Sequence, residues 1–313
     1  MKRLILSILA VAALSGASAK SYYVSPTGDD SNRGDIKRPF RTITKAATIM
    51  EAGDECVIRE GVYREVISPV NSGAQGKPIT FRSYKDEQVW VDATDLIDGW
   101  EQHEGNIYKA KVHHKWIALK ADAQALYYND KVMDEARWPN NDDNDRFTFE
   151  GFPVDGGSAS HVTSKSKGFP DIDLKGGAIT YFGEHCGTTW TRPITKSSSE
   201  EIHYTKVNIN NWPFSNHNPT LFRGGKNKGQ IFVYGKLELL DKENEWYYDP
   251  EGTIYANFPG DVKPAEGSVR FAGRLNTVKS TSSYIEIDGL NFFGGEVSRS
   301  PISRSTTRAV VST

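Results

Sequence analysis

The sequence predicts an all-β protein built from short strands and tight turns, and three observations predict it. Mean hydropathy is low, at −0.54, although 313 residues suffice for a sizeable core. The balance is made up by 28 glycines and many Asn, Asp, Ser and Thr residues, a composition of turns rather than of long helices. Apolar runs are short and alternate with polar residues, as in Ile79-Thr80-Phe81-Arg82-Ser83-Tyr84, and turn clusters such as Asn71 to Pro78 separate them. Finally, strands starting near Val57 and Ile79 are 22 positions apart (79 − 57), the length of one rung of a solenoid.

The chain opens with Met1-Lys2-Arg3, an apolar run from Leu4 to Leu14, and Ser15-Gly16-Ala17-Ser18-Ala19. A basic start, an apolar run and a small-x-small site predict a secretory signal peptide over 1–19, cut after Ala19. The run is shorter than the roughly 20 residues a spanning helix needs, so no membrane anchor is expected. The mature protein is expected outside the cell or in the periplasm.

The next stretch organises the rest. Tyr22 to Ser25 reads as a strand entering a loop rich in Gly, Asp, Ser and Asn. Ile43, Ala46, Ala47 and Met50 then fall at i, i+3, i+4 and i+7, one face of a helix, with Thr42 as N-cap and Gly53 as its stop. Cys56 to Arg59 is the following strand, ending at Glu60-Gly61. The segments "YYVSPTGDD", "RPFRTITKAA" and "AGDECVIREGVYRE" closely resemble the N-terminal cap and first coil of secreted right-handed parallel β-helix proteins that act on polysaccharides. That resemblance implies a solenoid whose open end is covered by the helix, hiding apolar interior and unpaired strand edges. Residues 20–98 are read as this cap and the first coils.

From Gly99 to about Pro264 hairpins replace rungs. Leu126-Tyr127-Tyr128 meets the turn Asn129-Asp130, Lys236 to Asp241 reads as a strand, and Glu245 to Asp249 turns through Pro250-Glu251-Gly252 into Thr253 to Ala256. Residues 99–264 are therefore expected to be an inserted β-rich subdomain. "EARWPN" and "EWYYDPEGTIYANFP" resemble segments of the same β-helix group, closer to its glycoside hydrolases than to its lyases.

The solenoid is expected to resume over 265–297, at Val269-Arg270-Phe271 and then Tyr284 to Gly295. Ile285, Ile287, Leu290 and Phe292 should point inward there, with Asp288-Gly289 as the bend. Residues 298–313, "SRSPISRSTTRAVVST", carry no strand pattern. Because a solenoid needs several stacked coils, a chain truncated or frame-shifted near Val297 is expected, against a short protein with a disordered tail.

Charge nearly balances, with 38 basic and 40 acidic residues and no basic run, which argues against nucleic acid as a partner. The implied partner is a polysaccharide or oligosaccharide, engaged by a monomer. Glycoside hydrolysis needs two carboxyl groups about 5–10 Å apart, one kept protonated. By resemblance, elimination from a uronic acid such as pectin or alginate instead uses a Lys or Arg base, with calcium in some cases. A third reading is a non-catalytic carbohydrate binder. The catalytic residues are not identified by any motif.

Substrate-binding candidates are Arg137 and Trp138, where an indole could stack on a sugar and a guanidinium fork to a carboxylate, or the two could simply pack the subdomain. Glu184, His185 and Trp190, with Arg192 nearby, mix titratable and aromatic groups in the same way. Asp142-Asp143-Asn144-Asp145 lacks the spacing and closing Glu of a calcium loop and reads as a solvated turn. His113, His114, His203 and His217 have no metal-like pattern, so no metal is assigned and no cofactor is expected, calcium aside in a lyase. "GGKNKGQ" from Gly224 lacks the setting of a phosphate loop. Of the two cysteines, Cys56 lies in an apolar strand and reads as a buried thiol, although an oxidising compartment permits a bridge to Cys186.

Overall fold

The computed structural model describes residues 18–112, 124–142, 150–182, 189–208 and 229–299. The chain is all-β apart from one α-helix and a short 3-10 turn among the described residues. It forms two compact units, Met1–Ala93 with Arg274–Thr313, and Thr94–Gly273.

In the first unit the strands pair in parallel. One sheet runs in the order Ser21–Val24, Glu55–Ile58, Ile79–Ser83, Ile285–Asp288. A second places Val89–Asp92 between Gly61–Tyr63 and Asn291–Phe293, and Asn276–Ser280 pairs with Glu296–Arg299. Each pass of the chain thus adds a strand to one sheet and then to the next. The register stacks Tyr22, Cys56, Phe81 and Ile287 in one row. Cys56 and Phe81 are 25 positions apart (81 − 56), not the 22 read from the sequence. The difference arises because Val57 pairs with Arg82 and not with Ile79, three positions earlier in that strand.

Alternation decides which side chains go inside. Val24, Cys56, Ile58, Ile79, Phe81, Val89, Val91, Ile285, Ile287 and Leu290 are buried in one cluster, with Phe292 packed partly against it. Each such aliphatic or aromatic side chain contributes roughly 1.5–3 kcal/mol. Cys56 is a free, fully buried thiol whose pKa burial pushes far above its ordinary value. Cys186 lies outside the described residues.

The helix, Ile43–Ile49, sends Ile43, Ala46 and Ala47 into the same cluster, joined by Met50. Thr42 caps it, Oγ1 accepting from Lys45 N at 3.1 Å. The Glu65 carboxylate accepts from the N–H groups of Ile43 and Thr44 at 2.9 and 2.7 Å, satisfying two orphan donors of the first turn. The helix ends at Met50, which is extended, before Gly53; Gly53, at φ +96°, shapes the turn into the next strand.

The second unit is mainly antiparallel. A five-stranded sheet runs Asp134–Glu135, Glu245–Tyr248, Thr253–Asn257, Ile107–Lys111, Glu101–Glu104. A four-stranded sheet contains the hairpin Leu126–Tyr128 and Lys131–Val132, whose turn residues Asn129 and Asp130 take φ of 48° and 63° as a type I′ turn requires. The largest sheet runs Arg137–Trp138, Gln230–Tyr234, Ala178–Phe182, Thr189–Ser197, Glu201–Tyr204, His161–Thr163, Gly156–Ser158. Trp246, Ile254, Ala256 and Ala110 bury in one core, whereas Tyr247, Tyr255 and Ile107 pack against another, so the five-stranded sheet is covered on both faces.

Two expectations are corrected. Val269–Ala272 does not restart parallel coils; it pairs antiparallel with Thr94–Leu96 and Leu126–Tyr128, and parallel pairing returns only at Asn276. Its short apolar pattern suits either kind of sheet, and only the partner strands distinguish them. Lys236 to Asp241 is not a strand, since Leu237–Leu239 forms a 3-10 turn that buries Leu239.

Candidate functional site

Arg137 and Trp138 form a two-residue strand paired antiparallel with Tyr234 and Val233. Successive side chains leave a strand on opposite faces, so the two part company. Trp138 turns inward, its ring 4.5 Å from Phe152 and 6.2 Å from Phe169. It is half-buried and belongs to the core of the unit. Arg137 turns to the other face, where its guanidinium lies 4.4 Å from the centre of the Phe232 ring.

That face carries an aromatic strip. Phe232 is 6.0 Å from Phe182 and 5.7 Å from Tyr234 between ring centroids, and all three are half-buried. Beside the strip Thr180 and Thr191, a cross-strand pair, bring their hydroxyls to 2.7 Å. Arg137 is fixed over the strip by Nε donating to Pro139 O at 2.9 Å and by an Nη donating to Glu150 O. Burial draws its pKa down, opposed by Asp134, Glu150 and Glu245, and a guanidinium retains its charge in such surroundings. Aromatic rings can stack on the apolar faces of sugars, and a guanidinium beside them can fork to a carboxylate.

Trp190 is not on this face. It is buried, stacked on Tyr181 at 5.1 Å and 4.9 Å from Tyr204, and its Nε1 has no partner among the described residues. Arg192 is half-buried and donates to Thr191 O at 2.8 Å. Glu184 and His185 lie outside the described residues, as do His113, His114, Asp143 to Asp145, His217 and the start of the "GGKNKGQ" run. Asp142 pairs with Lys242 at 3.2 Å, and His203 with Glu201 at 3.0 Å. Among the described residues no group of three or more His, Cys, Asp or Glu is arranged to hold a metal.

Two carboxyls escaped the sequence reading. Glu245 sits opposite Asp134 in a parallel pair and is 3 % exposed. Burial, with the charge of Asp241, pushes its pKa up to about 8 against backbone donors from Lys242 and Arg137. Its Oε2 has no partner among the described residues. Glu135, on the strand that leads to Arg137, is raised to about 7 by burial. A carboxyl protonated at neutral pH is what acid catalysis requires, but Glu245 is sealed from solvent and acts here as a neutral hydrogen-bonding group behind Arg137. Nothing in "DEAR" or "NEWYY" distinguishes these acids from exposed hairpin residues. The strip was more legible, since "AITYF" and "QIFVY" carry large apolar groups on both faces of a strand.

Residues 26–69 match the family model described as "Protein of unknown function (DUF1565)". The chain is 49 % identical over 76 residues to uncharacterized protein YwoF of Bacillus subtilis (strain 168), covering 24 % of this chain and 16 % of that protein. It is 34 % identical over 80 residues to pectate lyase PEL9 of Emericella nidulans, covering 25 % of this chain and 20 % of that one. The matches thus span a fifth or less of the curated relatives' lengths. A solved structure titled "Glycoside hydrolase" superposes with a TM-score of 0.64 at 17 % identity, covering 88 % of this chain and 50 % of its own. This chain therefore shares its fold with half of that larger protein.

Proposed function

We propose that this chain belongs to a secreted protein that degrades polysaccharides, hydrolysing glycosidic bonds by paired carboxylates in the whole protein. The observation that carries the carbohydrate reading is the Arg137–Phe232–Phe182–Tyr234 strip, a row of mutually tilted aromatic rings edged by hydroxyls and a cation. The likeness to the glycoside hydrolase, which extends over 88 % of this chain, supports hydrolysis over elimination.

In this reading the parallel strands of the first unit are the opening coils of a right-handed β-helix, and helix Ile43–Ile49 is its cap. Thr94–Gly273 is the subdomain inserted between coils. The signal peptide over 1–19 directs the protein out of the cytoplasm, and outside it the protein works as a monomer. Arg137 contributes to glycan binding; Trp138 and Trp190 hold the face in shape from behind.

The pectate lyase match favours a second reading, elimination from a uronic acid polymer. The strip by itself is compatible with a third, binding without cleavage. Incubation with a panel of neutral and uronic acid polysaccharides separates them. New reducing ends without ultraviolet absorbance support hydrolysis, unsaturated uronides support the lyase, and retention without cleavage supports the binder. A protein that neither retains nor cleaves any glycan in the panel would refute the carbohydrate reading.

A further inference from the structure

We propose that cutting the Ala19–Lys20 bond does more than release a leader: it places the new α-ammonium of Lys20 on the buried carboxylate of Asp54, a latch that forms only in the mature chain. The proposal rests on the secretion reading above and adds a consequence that reading does not contain.

The seat is already built. Lys20 N lies 2.8 Å from Asp54 Oδ1, and Asp54 is only 4 % exposed. The second carboxylate oxygen accepts from Glu51 N at 3.0 Å, which orients the group. Lys20 is held from its other side as well, its carbonyl accepting from Glu55 N at 2.9 Å. It thus sits at the head of Ser21–Val24, the outermost strand of its sheet. Ser18, Ala19 and Lys20 are exposed, and Lys20, Glu55, Lys77 and Thr80 line an open cavity of about 450 Å³ at this point.

Before cleavage Lys20 offers Asp54 one neutral amide N–H. Hydrolysis breaks the C–N bond; the hydroxyl of water goes to the Ala19 carboxyl and a hydrogen to the Lys20 nitrogen. That amine, with an ordinary pKa of about 7.7–8.0, takes a further proton from solvent at neutral pH. The contact becomes a charge-assisted hydrogen bond, roughly twice as strong as a neutral one. Among the described residues the charged side chains lining the cavity at this point are those of Lys20, Glu55 and Lys77, Glu51 adjoins Asp54 through its backbone N–H, and Glu55 is tied to Arg82 at 2.8 Å. A carboxylate partner raises the amine's pKa. The added stability is therefore complete below about pH 8 and disappears as pH rises through the raised value.

The test secretes the full chain, sequences its N-terminus and compares its melting with a cytoplasmic form that keeps one Met ahead of Lys20. The mature chain should melt higher by about 2–4 °C or more at pH 7, the gap should close above the amine's pKa, and Asp54→Asn should abolish it. If the Asn variant does not fold, acetylating the mature α-amine must lower melting to the level of the Met-extended chain. A secreted chain that starts elsewhere defeats the assigned cleavage site and the latch with it. One that starts at Lys20 yet melts like the extended form, or keeps its advantage without the amine or Asp54, defeats the latch alone.

Discussion

The guanidinium of Arg137 rests on the ring of Phe232 at 4.4 Å while its neighbour Trp138 is directed into the core, so two adjacent residues serve opposite faces of one sheet. Arg137→Lys keeps the charge but loses the planar stack and the fixed fork to the Pro139 and Glu150 carbonyls. A cation over an aromatic ring contributes about 0.5–2 kcal/mol. We expect affinity for a uronic acid polysaccharide to fall by roughly 2- to 30-fold, measured by depletion binding. Unchanged affinity would remove Arg137 from the binding face.

Phe232→Ala tests the strip from the other side. Phe232 is half-buried on an outward position, so its loss should weaken glycan retention far more than folding. Trp138→Ala should do the reverse, because that ring packs against Phe152 and Phe169; it should cost about 3 kcal/mol of stability. Affinity gel electrophoresis beside thermal melts reads both. If the Trp138 variant melts normally, its placement in the core is wrong.

Glu245 makes stability depend on pH. Its folded pKa, about 8, stands above the ordinary carboxylate value, so the folded state holds a proton that the unfolded state releases. Stability attributable to this group is highest below about pH 4.5 and declines as pH rises toward about 8, levelling off beyond. The fall is on the order of 5 kcal/mol, about 3.5 units at roughly 1.4 kcal/mol per pKa unit. Glu245→Gln, neutral throughout, should match the parent near pH 5 and melt higher at pH 8.5. A variant less stable at both values would mean that the carboxyl itself is needed.

Gly289 follows the strand Ile285–Asp288 at φ +64°, and a Cβ there would stand 2.5 Å from Ser83 Oγ. Gly289→Ala should destabilise by about 1–3 kcal/mol through the left-handed backbone and the contact together. Denaturant titration measures it. A change under about 0.5 kcal/mol would show that the bend relaxes freely.

The strands and turns were legible wherever a residue's own conformational needs decide the outcome. Asn129-Asp130 makes a hairpin because such residues tolerate positive φ, and Thr42 caps its helix because a hydroxyl can meet a bare N–H. The alternation of Ile285 and Ile287 with Glu286 likewise predicted what is buried. Val269–Ala272 was misplaced for a matching reason. Four alternating residues describe a strand, not its neighbour.

The binding face divides in the same way. Arg137 and Trp138 drew notice as residue types, but their separation onto opposite faces follows from pairing with Val233 and Tyr234, roughly a hundred positions later. The acidity of Glu245 has the same origin: the low dielectric around it is supplied by other segments of the chain. By itself the sequence determined the all-β class, the helix near the N-terminus and the likeness to polysaccharide-acting proteins, because these rest on local propensity, periodicity and short motifs. Only the tertiary structure decided which strands pair, which aromatics share the outer face and which carboxyl stays protonated. Those properties depend on distance and solvent exclusion between residues far apart in the chain.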